Sequence, residues 1–174
     1  MDFCGIFTDS SNKLCEKNTL YFLDNPAFIQ DLLAFISTGK TPQCVRASKV
    51  FERIIFYNSE YGYKFLSEII HLLLKTSISG IRRNMLRCLT RLDTRWVEDY
   101  SFIIDQCFDW LHSKEEAAIK IYCLDILYAI SIQFPDFQIE LILSLEILIK
   151  EDKKPSVIGR STHYFNKLQK LQKP

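Results

Sequence analysis

Apolar residues recur along the chain at three- and four-residue intervals, and no segment alternates apolar and polar positions over the length of a strand. The first spacing lines side chains along one stripe of a helix, whereas alternation would mark a half-buried strand. The pattern therefore predicts helices at approximately 25–38, 42–57, 60–76, 80–92, 95–112, 114–132, 136–150 and 156–171. Start signals punctuate them. Asn25-Pro26 reads as a cap followed by proline at the first helical position, where the missing N–H costs nothing. Thr41-Pro42 gives the same signal after Gly39 has ended the previous helix. Ser59-Glu60, Ser79-Gly80 and Thr94-Arg95 open three more, Ser113 with Glu116 forms a capping box, and Pro135 and Pro155 open the last two. Residues 1–22 have weak periodicity and several turn formers, and read as an irregular lead-in or short capping helix before a repeat domain over 23–174. The intervening turns are short, which makes successive helices antiparallel neighbours.

The second helix of each pair aligns with its counterparts. Val45, Ile81, Ile119 and Val157 begin their apolar faces, at intervals of 36, 38 and 38. Five residues on stand Val50, Leu86, Leu124 and Thr162, and eleven on stand Phe56, Leu92, Ile130 and Leu168. The positions eight residues on are Arg53, Leu89, Leu127 and Phe165. Behind the anchor come Arg46, Arg82 and Lys120, then Ile158. A helical hairpin cannot bury its own apolar stripe, but stacked hairpins bury one another's. The fold class expected is all-α, an α-α superhelix of about four stacked helical hairpins, with the less regular fourth as a cap.

The Val/Ile-Arg/Lys…Leu…Leu pattern of these second helices resembles a HEAT repeat. The common form carries an aspartate in the turn between helices; here Lys40, Thr76 and Lys114 stand there, so the ladder of Asp–Arg contacts found in many such arrays lacks its usual acids. "FDWLHSKEEAAIKIYCLDILYAIS" and "KPSVIGRSTHYFNKLQK" resemble a family of small bacterial HEAT-like proteins without established function. Some members are named adenylosuccinate lyase. The mobile Ser- and Gly-rich loop of such lyases has no counterpart in a chain with five glycines. The resemblance implies a fold and a binding role, and carries no catalytic motif.

Composition narrows the picture. The 174 residues suit one domain, large enough to need neither disulfide nor structural metal. With 22 basic and 21 acidic residues the chain lacks the basic excess usual in a dedicated nucleic-acid binder. The six cysteines form no CxxC pair and no zinc-ligand spacing with histidine, and read as buried thiols of a reducing, cytoplasmic setting. "FQIELILSLEILIK" is too short and too charged for a membrane span, and "MDFCGIFTDSSNK" does not read as a secretory signal. No nucleotide, esterase or metalloprotease motif occurs. No catalytic residue, cofactor or metal site is expected. His71, His112 and His163 share no face, and Asp105 and Asp109, four apart, read as a solvated helix face rather than an acid–base pair.

The segment "IRRNMLRCLTRLDTRW", residues 81–96, holds five arginines. Arg83, Arg87 and Arg91 lie at i, i+4, i+8 and form one stripe, which Arg95 extends at the turn. Three readings compete: a face satisfied within the chain by the carboxylates of residues 96–116, a surface for an acidic protein segment, and a phosphate or nucleic-acid surface. The resemblance places second helices on the concave face of a stack, so it implies a non-enzymatic interaction module or scaffold with Arg83, Arg87, Arg91, Arg95 and Trp96 as partner-binding residues. The nucleic-acid alternative draws on HEAT-like DNA glycosylases, which hold bases with tryptophans and an aspartate; Trp96, Asp99 and Trp110 supply those residue types, and Lys167, Lys170 and Lys173 add charge at the tail.

Overall fold

The computed structural model describes residues 2–38 and 42–171; Gly39, Lys40, Thr41 and Lys173, invoked in the helix signals, the turn comparison and the basic tail, lie outside them. The described residues contain helices and turns and no strand. The chain divides into two compact units, Met1–Leu92 and Asp93–Pro174.

In unit 1 the helices are α1 (Phe3–Ile6), α2 (Asn12–Asp24), α3 (Ile29–Ser37), α4 (Pro42–Tyr57), α5 (Glu60–Lys64), α6 (Leu66–Lys75) and α7 (Ser79–Leu89). Helices α2, α4 and α7 lie side by side as one layer, with α3 packed on α4 and α6 on α7 as the other. In unit 2, after a 3₁₀ turn at Thr94–Glu98, come α8 (Phe102–His112), α9 (Ala117–Gln133), α10 (Gln138–Glu151) and α11 (Pro155–Leu171). There α9 and α11 are layer neighbours, α8 covers α9 and α10 covers α11. Each unit is thus a stack of helical hairpins, and the second helices are the shared layer.

Most positions of the repeat columns are core; Phe56 is an exception and stands exposed at the end of α4. Ile81, Ile119 and Val157 are buried, as are Val50, Leu86, Leu124, Leu92, Ile130 and Leu168. Val45 is half-buried and packs against the start of α7. A Cβ on Gly80 would come within 2.7 Å of the Val45 Cγ1, so glycine at that point is what lets α4 approach. The last hairpin departs as a cap should, with Thr162 exposed.

Four local features differ from the sequence reading. Residues 12–24 form a full helix, capped by the Ser11 hydroxyl accepting the Leu14 N–H at 3.2 Å. Its inward stripe is Cys15, Asn18, Thr19 and Phe22, and the two polar members hide its period. They are satisfied locally: Asn18 donates to the Ile6 carbonyl and Thr19 to that of Cys15. Second, the helix expected over 60–76 breaks at Phe65, whose backbone leaves the helical region at φ −112°, ψ 26°. The break turns the Phe65 ring inward, edge-on to Phe51 at 6.3 Å. Third, the helix expected from residue 95 begins only at Phe102, because Asp93 accepts the Arg95 N–H and winds the preceding segment into a 3₁₀ turn. Fourth, Ser113 and Glu116 make no capping box. The Ser113 hydroxyl donates to the Trp110 carbonyl and closes α8, while Glu116 precedes α9 without a side-chain cap bond.

Candidate functional site

The shared layer of unit 1 concentrates charge. Arg53 of α4 meets Glu16 of α2 at 2.7 Å, and the Tyr57 hydroxyl donates to the same carboxylate. One repeat later, Arg87 and Arg91 of α7 both reach Glu52 of α4, at 3.1 and 3.4 Å. The carboxylate side chain is 4% exposed, whereas Arg87 and Arg91 keep 43% and 31% of theirs in solvent. A buried carboxylate without a cation would be costly, so the pair is an obligation of the fold before it is anything else. Arg91 also lies over the Phe56 ring, 4.5 Å from its centre. Phe56, at the end of α4, is 56% exposed, and Tyr57 beside it is exposed as well.

Arg83 is different. It sits one turn before Arg87 on the same stripe, half-exposed, and no ion pair or hydrogen bond engages its side chain among the described residues. The stripe thus carries three arginines, and two of them share one carboxylate. The carboxylate that holds Arg87 and Arg91 is not one of those at 96–116, as the intramolecular reading expects, but Glu52, 35 and 39 residues earlier. The sequence carries a signal for this: Glu16, Glu52, Cys88 and Asp125 share one repeat position, at intervals of 36, 36 and 37. The Cys88 thiol within this column is fully buried, and burial, with Glu52 adding to it, pushes its pKa well up, which favours the protonated thiol.

The two remaining residues expected to bind a partner belong to unit 2. Arg95 pairs with Asp93 at 2.6 Å and remains largely exposed. Trp96 is 4% exposed, so its ring has no surface to offer a partner, and it leaves the candidate set. Trp110 is buried too, which removes the pair of stacking platforms the base-binding alternative needs. Asp105 and Asp109 are exposed. No group of three or more His, Cys, Asp or Glu side chains is placed to hold a metal among the described residues. None of their helices is long and apolar enough to cross a membrane.

Unit 2 uses its charges differently. Lys120 of α9 meets Asp152, in the turn before α11, at 2.8 Å, with both side chains under one-tenth exposed. Burial pulls the Asp152 pKa up, but the hydrogen bonds from Lys120 and from the Lys154 N–H outweigh it and leave the carboxyl below its ordinary value. This is the turn aspartate missing from the first three turns. On the layer itself, Asp125 of α9 accepts from Arg160 at 3.0 Å and from the Tyr164 hydroxyl at 2.7 Å, both on α11. Desolvation dominates and raises the Asp125 pKa; burial and the bond to Asp125 push Tyr164 up to about 12. Tyr128 stacks on Tyr164 with ring centres 4.2 Å apart, and Lys167 lies over Tyr128.

Antiparallel hairpins stacked through their second helices, with charged side chains bridging one repeat to the next, define an all-α helical repeat protein. The family model of the HEAT repeat domain matches residues 9–167, and the chain belongs to that family. The match takes in α2, so the helix that sequence periodicity does not resolve lies within the matched region. No curated protein and no solved structure matches the chain. HEAT repeat domains generally mediate protein interaction or scaffolding and are typically non-enzymatic.

Proposed function

We propose that this chain is a cytoplasmic, non-enzymatic interaction module that docks an acidic protein segment on the second-helix layer of unit 1. Arg83, Arg87 and Arg91 are its polar anchors, and Phe56 and Tyr57 its apolar contacts. One observation carries the reading: beyond the pairs with Glu52, the stripe keeps more positive charge than that carboxylate can neutralise, and it keeps it beside exposed aromatic rings. Planar guanidinium forks bind carboxylates in pairs, and arginine and aromatic residues dominate binding hot spots. The five buried thiols support a reducing compartment.

Selection from a random peptide library against the folded protein tests it. The expected peptides are rich in Asp and Glu with an aliphatic or aromatic neighbour, and they lose at least about tenfold in affinity to Arg83→Glu, the scale of one charge-assisted hydrogen bond. Selected peptides without acidic enrichment, or unaffected by Arg83→Glu and Phe56→Ala, refute the site. Duplex DNA is measured alongside at low salt. DNA bound more tightly than any selected peptide, and weakened by Arg83→Glu, would replace the reading by the phosphate one.

A further inference from the structure

Helix α10 is apolar on more than one side. Aliphatic residues fill more than half of its fourteen positions, yet Leu141, Leu145 and Leu148 alone form its buried stripe, with Ser144. On the opposite side Ile139, Leu143 and Ile147 stand at i, i+4, i+8 and are 68%, 57% and 43% exposed. No other covering helix carries such a stripe: α3 exposes no large hydrophobic residue, α6 only Leu74 and α8 only Phe102. A helix that is apolar around its circumference is ordinarily a buried one.

We propose that this stripe is a self-association surface on which two copies of the chain pair antiparallel, α10 against α10. The argument is its symmetry. A two-fold interface must be self-complementary, with residue i meeting j and j meeting i. The stripe is centred on Leu143: Ile139 lies four residues before it and Ile147 four after, so an antiparallel pair sets each Ile139 on the other copy's Ile147 and Leu143 on itself. Beyond the stripe, Asp136, in the 3₁₀ turn Pro135–Phe137 that leads into α10, comes to the end of the partner helix that carries Lys150; the two are oppositely charged and both exposed. At about 100° per residue, Glu140 and Glu146 fall on opposite edges of the stripe, outside its centre. A partner of different sequence would not require that symmetry. One pair of helix faces falls short of the roughly 1,200 Å² buried by stable complexes, so the dimer is reversible, with a Kd on the order of 100 μM.

Sedimentation velocity from about 5 to about 500 μM brackets that constant. The wild-type chain is expected to move from monomer toward dimer, and Leu143→Asp, which places two carboxylates on the axis, to weaken association at least tenfold while circular dichroism stays unchanged. In a Cys4→Ser background, which removes the exposed thiol, Leu143→Cys should oxidise to a linked dimer. Ile139→Cys should link only when mixed with Ile147→Cys. A chain that stays monomeric throughout, an undiminished Leu143→Asp dimer, or self-linking of Ile139→Cys as fast as Leu143→Cys overturns the proposal.

Discussion

Glu52 in unit 1 and the acids Asp125 and Asp152 in unit 2 are satisfied in different ways, although unit 1 also matches Glu16 one to one with Arg53. In unit 2 two acids are each matched by one cation: Asp152 by Lys120, and Asp125 by Arg160, with the Tyr164 hydroxyl as a further donor. In unit 1, Glu52 is deeply buried, faces two arginines, and has a third on the same stripe that engages no acid among the described residues. Matched charge makes structure. Surplus charge of one sign, held in place by a buried acid, makes a surface that still has bonds to offer. The contrast predicts redundancy in unit 1 and its absence in unit 2.

The largest effect is expected from Lys120→Met. It strands the Asp152 carboxylate in a site where both partners are buried, and removing one member of such a pair costs about 3 kcal/mol. Urea unfolding measures the loss, and hydrogen exchange should place it in α9–α11. A cost near zero would mean the pair is as replaceable as a surface one, and the distinction between the units would fail.

Next come Arg87→Ala and Arg91→Ala. Each alone leaves Glu52 a cation, so each costs under about 1 kcal/mol, near what a solvent-exposed pair contributes. Together they leave a buried charge alone, and the double variant should cost about 3 kcal/mol, well above the sum. Additive single effects would show that Glu52 does not depend on the two interchangeably.

The hydrophobic columns, the hairpin count and the order of helices are legible in the sequence because core positions repeat chemically: Ile81, Ile119 and Val157 answer one another with the same kind of side chain. The ion pairs are not. Nothing in the spacing around Glu52, between Phe51 and Arg53, marks it as the acid of an ion pair, and the stacking of α7 on α4 is what brings its two arginines to it. Arg53 breaks the apolar column for the same reason, since its partner Glu16 lies 37 residues away in a helix whose buried stripe is half polar. Trp96 misleads because a large aromatic beside arginines has the same one-dimensional signature whether it faces water or the core.

The pH dependence should carry opposite signs for the two acids of unit 2. The Asp152 carboxyl is held below its ordinary value in the fold, so its contribution is present above the ordinary 3.8 and is lost as pH falls through the lower folded value. Asp125 is raised, so the folded state binds its proton more readily, and protonation between neutral pH and 3.8 relieves the cost of burying its charge. Unit 2 should therefore stabilise slightly as pH drops from 7, then weaken below about 3.8. Tyr164, raised to about 12, contributes stability that is complete below the ordinary 10.0 and lost as pH rises through the folded value. Asp125→Asn should remove the gentle rise on the acid side and leave the steeper loss. Hydrogen exchange across the pH series, compared between α4 and α9, tests whether these trends stay in unit 2.

The smallest effect on stability is the most informative about function. Arg83 touches no carboxylate among the described residues, so Arg83→Ala should leave unfolding free energy within about 0.5 kcal/mol of wild type, the range of surface substitutions away from buried features. A side chain kept only for solubility would also leave peptide binding unchanged. An anchor would not: affinity for acidic peptides should fall about tenfold, with Arg83→Lys restoring only part of it, since an ammonium lacks the paired geometry of the guanidinium fork. Loss of binding at constant stability would separate the surplus arginine from the two that Glu52 holds. Loss of both together would make the whole stripe a structural element, and unit 1 would differ from unit 2 only in how many cations it assigns to each acid.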